Sequence, residues 1–370
     1  MKGESRKIII AVGIIGLIMA VMVRFGNPIN LGVCVPCYYE DLAATYGLQS
    51  VEIAQYIRPE LLGFLLGAFI LAKIRGEFKT RGGSSPILRF VLGFFMMIGI
   101  LVFLSCPSST IFRLATGDLN AVTGLVGHVV GIYIGIQFIK RGFSLGNSSS
   151  YPQPIGYIAP LVAIVILAFL ILKPAFALFS GTGPDAISTL LTSMVVALAA
   201  GLIIGAILQR TSFCTTRALR DAILFKNFTF LWALIAIFIV NVVATLILNP
   251  ESIYISFYQL EAHSNHLWNF LAMLLTGITA VFLGACPLRQ IILAGEGDTD
   301  AVVTILGLIA GVIAGRSFDL AATPLGVPTN GKIAVLVGIV VSIIIGVKYK
   351  KEVVNEKRDN GGILEGEINL

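Results

Sequence analysis

Ten stretches of this chain, each nearly free of charge and close to 20 residues long, constrain it more than any other feature. They fall near 8–25, 59–75, 87–105, 119–139, 155–173, 189–208, 229–249, 267–285, 300–315 and 331–347. A helix that crosses a bilayer needs about 20 mostly apolar residues. Of 370 residues, 56% are hydrophobic and 12% charged, against roughly 25% charged in a soluble domain. So little polar surface cannot cover a soluble core, which excludes a soluble globular enzyme. Disorder requires low hydrophobicity and is excluded too. Membrane barrels show weak, alternating strands of about ten residues, not unbroken apolar runs. The expected fold is an all-α polytopic membrane protein of about ten spanning helices with short re-entrant segments.

Charge orients the spans. With the N-terminus inside, the inner segments hold 20 of the 26 Lys and Arg residues, and the outer side holds Arg24, Arg58, Arg113, Lys173, Arg316 and Lys332. This bias places both termini in the cytoplasm and requires an even number of spans. The net charge of +6 therefore reports cytoplasmic loops, not nucleic acid. Lys2, Arg6 and Lys7 precede an apolar stretch without a small-residue cleavage site, so this segment reads as a retained first helix of an inner-membrane protein.

An internal repeat appears at an offset of 180. Without gaps, Cys34 falls on Cys214, Asp41 on Asp221, Cys106-Pro107 on Cys286-Pro287, Gly117-Asp118 on Gly297-Asp298, and Gly127, Gly131 and Gly135 on Gly307, Gly311 and Gly315. Each copy carries five spans, so the second must lie upside down. The loop charges agree: Lys73 to Arg89 holds five basic residues, and its counterpart Glu251 to His266 holds none. The organisation expected is a cytoplasmic N-terminus (1–7), repeat one (8–175, with a Ser/Gly/Pro-rich linker at 143–154), an inverted repeat two (186–347) and a cytoplasmic tail (348–370). Inverted repeats characterise secondary transporters, whose sites lie at the repeat interface.

Four of the five cysteines pair across the offset. Cys106-Pro107 and Cys286-Pro287 each follow an apolar run, where proline interrupts a helix. Such breaks at membrane depth occur where protein or a cavity satisfies the backbone. With Cys34 and Cys214, these thiols form an expected substrate path suited to a soft species containing sulfur or selenium. A lone cysteine usually just packs, but the symmetric pairing and the prolines argue for a path. Arg289, Arg210 and Arg217 are the expected anion contacts. The Cys34-Val35-Pro36-Cys37 motif reads alternatively as a redox pair. Cys37 has no partner across the offset, where Arg217 stands.

Asp118 and Asp298 precede helices and read as caps or as coupling groups. Asp41 and Asp221 read likewise. His128 is expected to hydrogen-bond between helices, and the glycines at four-residue steps to allow close packing. His263, His266 and Glu261 lack metal-ligand spacing, and no metal site or cofactor motif is found.

On these residues the sequence resembles the YeeE/YedE family of membrane proteins, which includes thiosulfate transporters. The motifs are Gly-Asn-Pro at Gly26–Pro28 leading to Cys34, Arg-Pro-Glu at Arg58–Glu60, Arg-Gly-Gly-Ser at Arg81–Ser84 and Ser-Cys-Pro at Ser105–Pro107. Gly-Asp-Leu-Asn-Ala at Gly117–Ala121, Ser-Phe-Cys at Ser212–Cys214 and Ala-Cys-Pro-Leu-Arg-Gln at Ala285–Gln290 complete the set. Together they are most similar to the YedE branch associated with selenium metabolism. The resemblance implies an hourglass of inverted repeats in which Cys106, Cys214 and Cys286 line a constricted path; Cys34 is added by symmetry. The sequence departs from strict symmetry where Ser108-Ser109 stands opposite Leu288-Arg289.

The expected function is transport of a small selenium- or sulfur-containing species, an anion such as a selenium oxyanion or thiosulfate. The expected partners are that substrate, the bilayer and a cytoplasmic sulfur- or selenium-carrier protein. No enzymatic activity is expected. Two rivals stand beside it: a membrane thiol oxidoreductase using Cys34 and Cys37, and a passive channel of the re-entrant-helix type.

Overall fold

The computed structural model describes all residues except 1, 26–28, 30–33, 50–56, 175–177, 179–186, 259–261 and 350–370. The Gly26–Pro28 motif, Glu261 and nearly all of the expected tail lie outside the described residues. Among the described residues the chain is all-α apart from two two-residue strands. In order it runs α1 (Lys2–Arg24), α2 (Val35–Thr45), α3 (Pro59–Ile74), β1 (Arg81–Gly82), α4 (Pro86–Phe103), α5 (Pro107–Ala115) and α6 (Asn120–Lys140). Then come β2 (Ser149–Ser150), α7 (Gln153–Gly156), α8 (Ile158–Leu172), α9 (Ile187–Thr211), α10 (Thr215–Phe225) and α11 (Thr229–Leu248). A 3-10 turn (Pro250–Ser252), α12 (His266–Phe282), α13 (Pro287–Gly295), α14 (Thr299–Ser317) and α15 (Thr329–Lys348) complete it.

Among the described residues, nine helical segments are long and apolar enough to span a bilayer, and the chain is a multi-pass membrane protein. The tenth expected span, 59–75, is the 16-residue α3. Proline fixes its start at Pro59, and Lys73 and Arg75 end its apolar run, so it falls short of the usual spanning length. The expected linker docks against the loop after α3: β2 pairs antiparallel with β1, and the Tyr151 N–H donates to the Thr80 carbonyl at 3.1 Å.

Lipid offers no hydrophobic drive for helix association, so small residues must let backbones approach. α6 lies on α12, where a Cβ on Gly127 or Gly131 would strike the carbonyls of Phe270 or Leu274. α14 lies on α4, with Gly307 against the Phe90 carbonyl and Gly93 against the Thr304 carbonyl. α3 packs on α9 through Gly63, Gly67, Gly201 and Gly205, and α1 on α11 through Gly13 and Gly16. The expectation of close packing at glycine steps thus has a concrete form: helix backbone against helix backbone. α12 and α13 form the centre, with 89% of their hydrophobic stretch buried. Only 22% of the α7–α8 stretch is buried, which places it at the periphery.

Candidate functional site

Three helix interruptions bring three free thiols into the interior. α4 ends at Leu104, held in the left-handed conformation at φ 63°, and Cys106 then adopts an extended backbone and caps α5. Gly284 makes the same turn after α12 at φ 80°, and Cys286 caps α13 with nearly the same dihedrals. Ser212, at φ 51°, turns the chain after α9 so that an extended Cys214 caps α10. Pro107 and Pro287 occupy the first helical position, where their missing N–H would have had no partner. All three thiols are free and buried. Each sits at the start of a short helix, the end that favours negative charge.

The three helix starts converge. The Cys286 N–H donates to the Cys214 sulfur at 3.3 Å. Ser108, in the first turn of α5, places its Oγ 4.0 Å from the Cys286 sulfur and 3.1 Å from Thr215 Oγ1. The Cys106 sulfur accepts from the Ser109 N–H at 3.4 Å and from the Val35 amide. A sequence of polarisable and hydroxyl groups therefore runs from Cys106 past Ser108 to Cys286 and Cys214. A cavity of about 20 Å³ adjoins it, lined by Ser108, Thr215, Leu288, Ile15 and Ile204 among others. That volume is close to one water molecule, and its walls include Ser108 and Thr215 but none of the three thiols. His128 on α6 reaches this cluster, with Nε2 3.4 Å from Thr216 Oγ1.

Cys34 lies near Cys106 but differs from the other three in its chemistry. It is buried at the start of α2 and joined to Cys37 in a disulfide. α2 is pinned from outside itself: Arg58 Nε donates to Asp41 Oδ2 at 2.5 Å and Arg316 Nε to Glu40 Oε1 at 2.7 Å.

The three expected anion contacts differ in their surroundings. Arg289 donates from Nη1 to the Leu208 carbonyl at 3.1 Å and pairs through Nη2 with Glu296 at 3.0 Å. Arg217 pairs with Asp221 at 3.0 Å, donates to the Ser212 carbonyl at 3.2 Å, and lies over the Phe230 ring at 4.4 Å. Both brace the ends of α9 and the turn into α10. Arg210 instead lines a pocket of about 480 Å³ with Gly3, Glu4, Lys7, Ile8, Ala11 and Thr211. Beside it, Gln209 donates to Glu77 at 2.7 Å, and this bond with that of Arg75 holds the Glu77 carboxyl below its usual range.

Asp298 caps α14, accepting from the Ala301 N–H at 3.1 Å, and also pairs with Arg81 at 2.8 Å. Asp118 accepts from the Asn120 N–H at 2.9 Å and pairs with Arg113 at 2.5 Å. The Arg-Gly-Gly-Ser segment docks on the start of α14. Asp300 accepts from the Gly83 N–H at 2.8 Å and from the Ser84 hydroxyl at 2.5 Å. Among the described residues, no three His, Cys, Asp or Glu side chains lie close enough to hold a metal ion.

Sequence reasoning passed over Ser108, Thr215, Gln290 and the Arg113–Asp118 pair. The offset did mark Ser108, as the polar residue facing Leu288 across the repeat. Gln290 was marked only as the last residue of the Ala-Cys-Pro-Leu-Arg-Gln motif, with no role attached to it.

No curated protein matches this chain. Residues 210–350 match the family described as sulphur transport; that segment starts at Arg210, contains Cys214 and Cys286, and points to a transporter rather than an enzyme.

Proposed function

We propose that this protein carries a small sulfur- or selenium-containing anion across the cytoplasmic membrane along the thiols of Cys106, Cys286 and Cys214. The observation that carries this reading is the convergence of three buried thiols outside any disulfide, each at the start of a short helix. Soft sulfur contacts and hydroxyl donors suit a polarisable, weakly hydrated anion. The match to the sulphur transport family over residues 210–350 supports the same substrate chemistry.

The helix pairing supports two inverted halves, 8–175 and 186–347. Under the offset of 180, the α3–α9 contact exchanges with α1–α11, and α6–α12 with α14–α4. Loop charges support a cytoplasmic side for both termini. The substrate then enters on the Cys34/Cys106 side and leaves past Cys286 and Cys214 toward the pocket of Arg210 and Lys7. In this reading Arg210 attracts the anion, while Arg289 and Arg217 hold the helix ends around the thiols. Asp118 and Asp298 anchor the helix starts. A cytoplasmic carrier protein would receive the released sulfur or selenium.

The Cys34–Cys37 disulfide favours a second reading, a membrane thiol oxidoreductase. Parallel uptake of radiolabelled thiosulfate and selenite into proteoliposomes separates the two. Transport along the thiols gives saturable uptake of one anion, lost in Cys106→Ala and Cys286→Ala and retained in Cys37→Ser. Activity abolished by Cys37→Ser alone would support the oxidoreductase instead.

A further inference from the structure

We infer that Gln290 is a further substrate contact, binding the oxygen-bearing end of the anion while the thiols hold its soft end. This rests on the transport reading above. Gln290 is 1% exposed. Among the described residues it is the one side-chain amide whose nitrogen and oxygen are both buried and without a protein partner. Burying unmet donors and acceptors is costly, and an apolar side chain of the same shape would be cheaper. An amide at such a position needs a partner that the fold itself does not supply.

Its place in the helix says where that partner lies. Gln290 follows Cys286 by four positions, and its N–H closes the first turn of α13 onto the Cys286 carbonyl at 3.1 Å. Gln290 therefore sits in the first turn of α13, one turn along the chain from the Cys286 thiol. The neighbouring cation, Arg289, is already committed to Leu208 and Glu296. A carboxamide offers N–H donors without a fixed charge, so it can bind an oxyanion and still release it. The start of α13 adds a favourable dipole at the same end.

The test is thiosulfate uptake into proteoliposomes by the wild type, Gln290→Leu and Gln290→Glu, together with melting temperatures of the purified proteins with and without thiosulfate. Loss of a hydrogen bond to a charged ligand predicts a KM raised about tenfold in Gln290→Leu. Its maximal rate should stay within about twofold of the wild type, and its melting temperature without ligand should be unchanged or higher. Gln290→Glu, isosteric but negative, should show the larger loss of uptake. An unchanged KM in Gln290→Leu would overturn the inference, as would a lower ligand-free melting temperature with normal uptake per folded protein. If the wild type takes up neither thiosulfate nor selenite, the transport reading fails separately. The role of Gln290 is then read from the melting temperatures. A thiosulfate-dependent rise in the wild type that is absent in Gln290→Leu supports it, and no rise in either overturns it.

Discussion

The break at Cys106 and the break at Cys286 share a backbone and differ in chemistry. Each begins with a left-handed residue, Leu104 or Gly284, continues through an extended Cys-Pro into a nine-residue helix, and ends at a glycine with φ 96°, Gly117 or Gly297. A distant loop then closes on each end in the same manner. The carbonyls of Thr116 and Gly117 accept from the N–H groups of Tyr254 and Ser256, at 3.0 and 3.1 Å. Those of Glu296 and Gly297 accept from Lys79 and Arg81, at 3.1 and 3.4 Å. The side chains diverge. Near Cys106 stand hydroxyls and a disulfide; at Cys286 stand a second free thiol, a bound arginine and an uncommitted glutamine. Backbone geometry at such a break is set by glycine, proline and positive φ, which leaves the side chains free to differ between the halves.

The helix contacts should break unequally. At Gly127 an added methyl meets the Phe270 backbone, whereas at Gly315 it meets only the Leu101 side-chain end. Overpacking against immovable backbone costs about 1–3 kcal/mol or more. Gly127→Ala should therefore cut folded yield and melting temperature sharply, and Gly315→Ala only slightly. Equal losses would mean that the two packing seams are not backbone-limited as described.

The buried arginines should show an effect at least as large. The Arg113–Asp118 pair is almost wholly buried, and the guanidinium lies 4.8 Å from the Phe103 ring centre; the Arg289–Glu296 pair is more open. Removing one partner of a buried pair costs about 3–5 kcal/mol, so Arg113→Ala should destabilise more than Arg289→Ala in denaturant or thermal unfolding. The reverse order would show that the Cys286 side carries the tighter charge network.

The turn residues give the smallest effect. Nothing lies near a Cβ on Gly284, so Gly284→Ala isolates the conformational cost of about 1–2 kcal/mol for a left-handed residue. Leu104→Gly at the matching position relieves that strain but loses the leucine's packing, so its melting temperature should move less than that of Gly284→Ala. A larger drop in Leu104→Gly would place the weight on side-chain packing instead.

The spans were readable because a soluble fold has no place for so many apolar runs of bilayer length. The breaks were readable because proline after cysteine ends a hydrogen-bond ladder. α3 is shorter than its apolar window suggested, since its run ends at Lys73, where such a window blurs the boundary. The disulfide was open in the sequence, where Cys34 served equally as a path thiol or as half of a Cys-x-x-Cys pair. The pairing of Arg289 with Glu296 and of Arg113 with Asp118 depends on how a nine-residue helix turns its ends. The Lys79–Glu296 and Tyr254–Thr116 closures join loops far apart in the chain. Neither leaves a mark in composition or periodicity.

The central claim is that substrate touches all three free thiols. It is tested most directly by the rates at which a small maleimide labels Cys106, Cys214 and Cys286 in proteoliposomes, read by mass spectrometry with sulfate or with thiosulfate or selenite present. Slower labelling at all three sites with thiosulfate or selenite, and not with sulfate, is the result predicted. Identical labelling in every anion, in protein that transports, would contradict a path along the thiols.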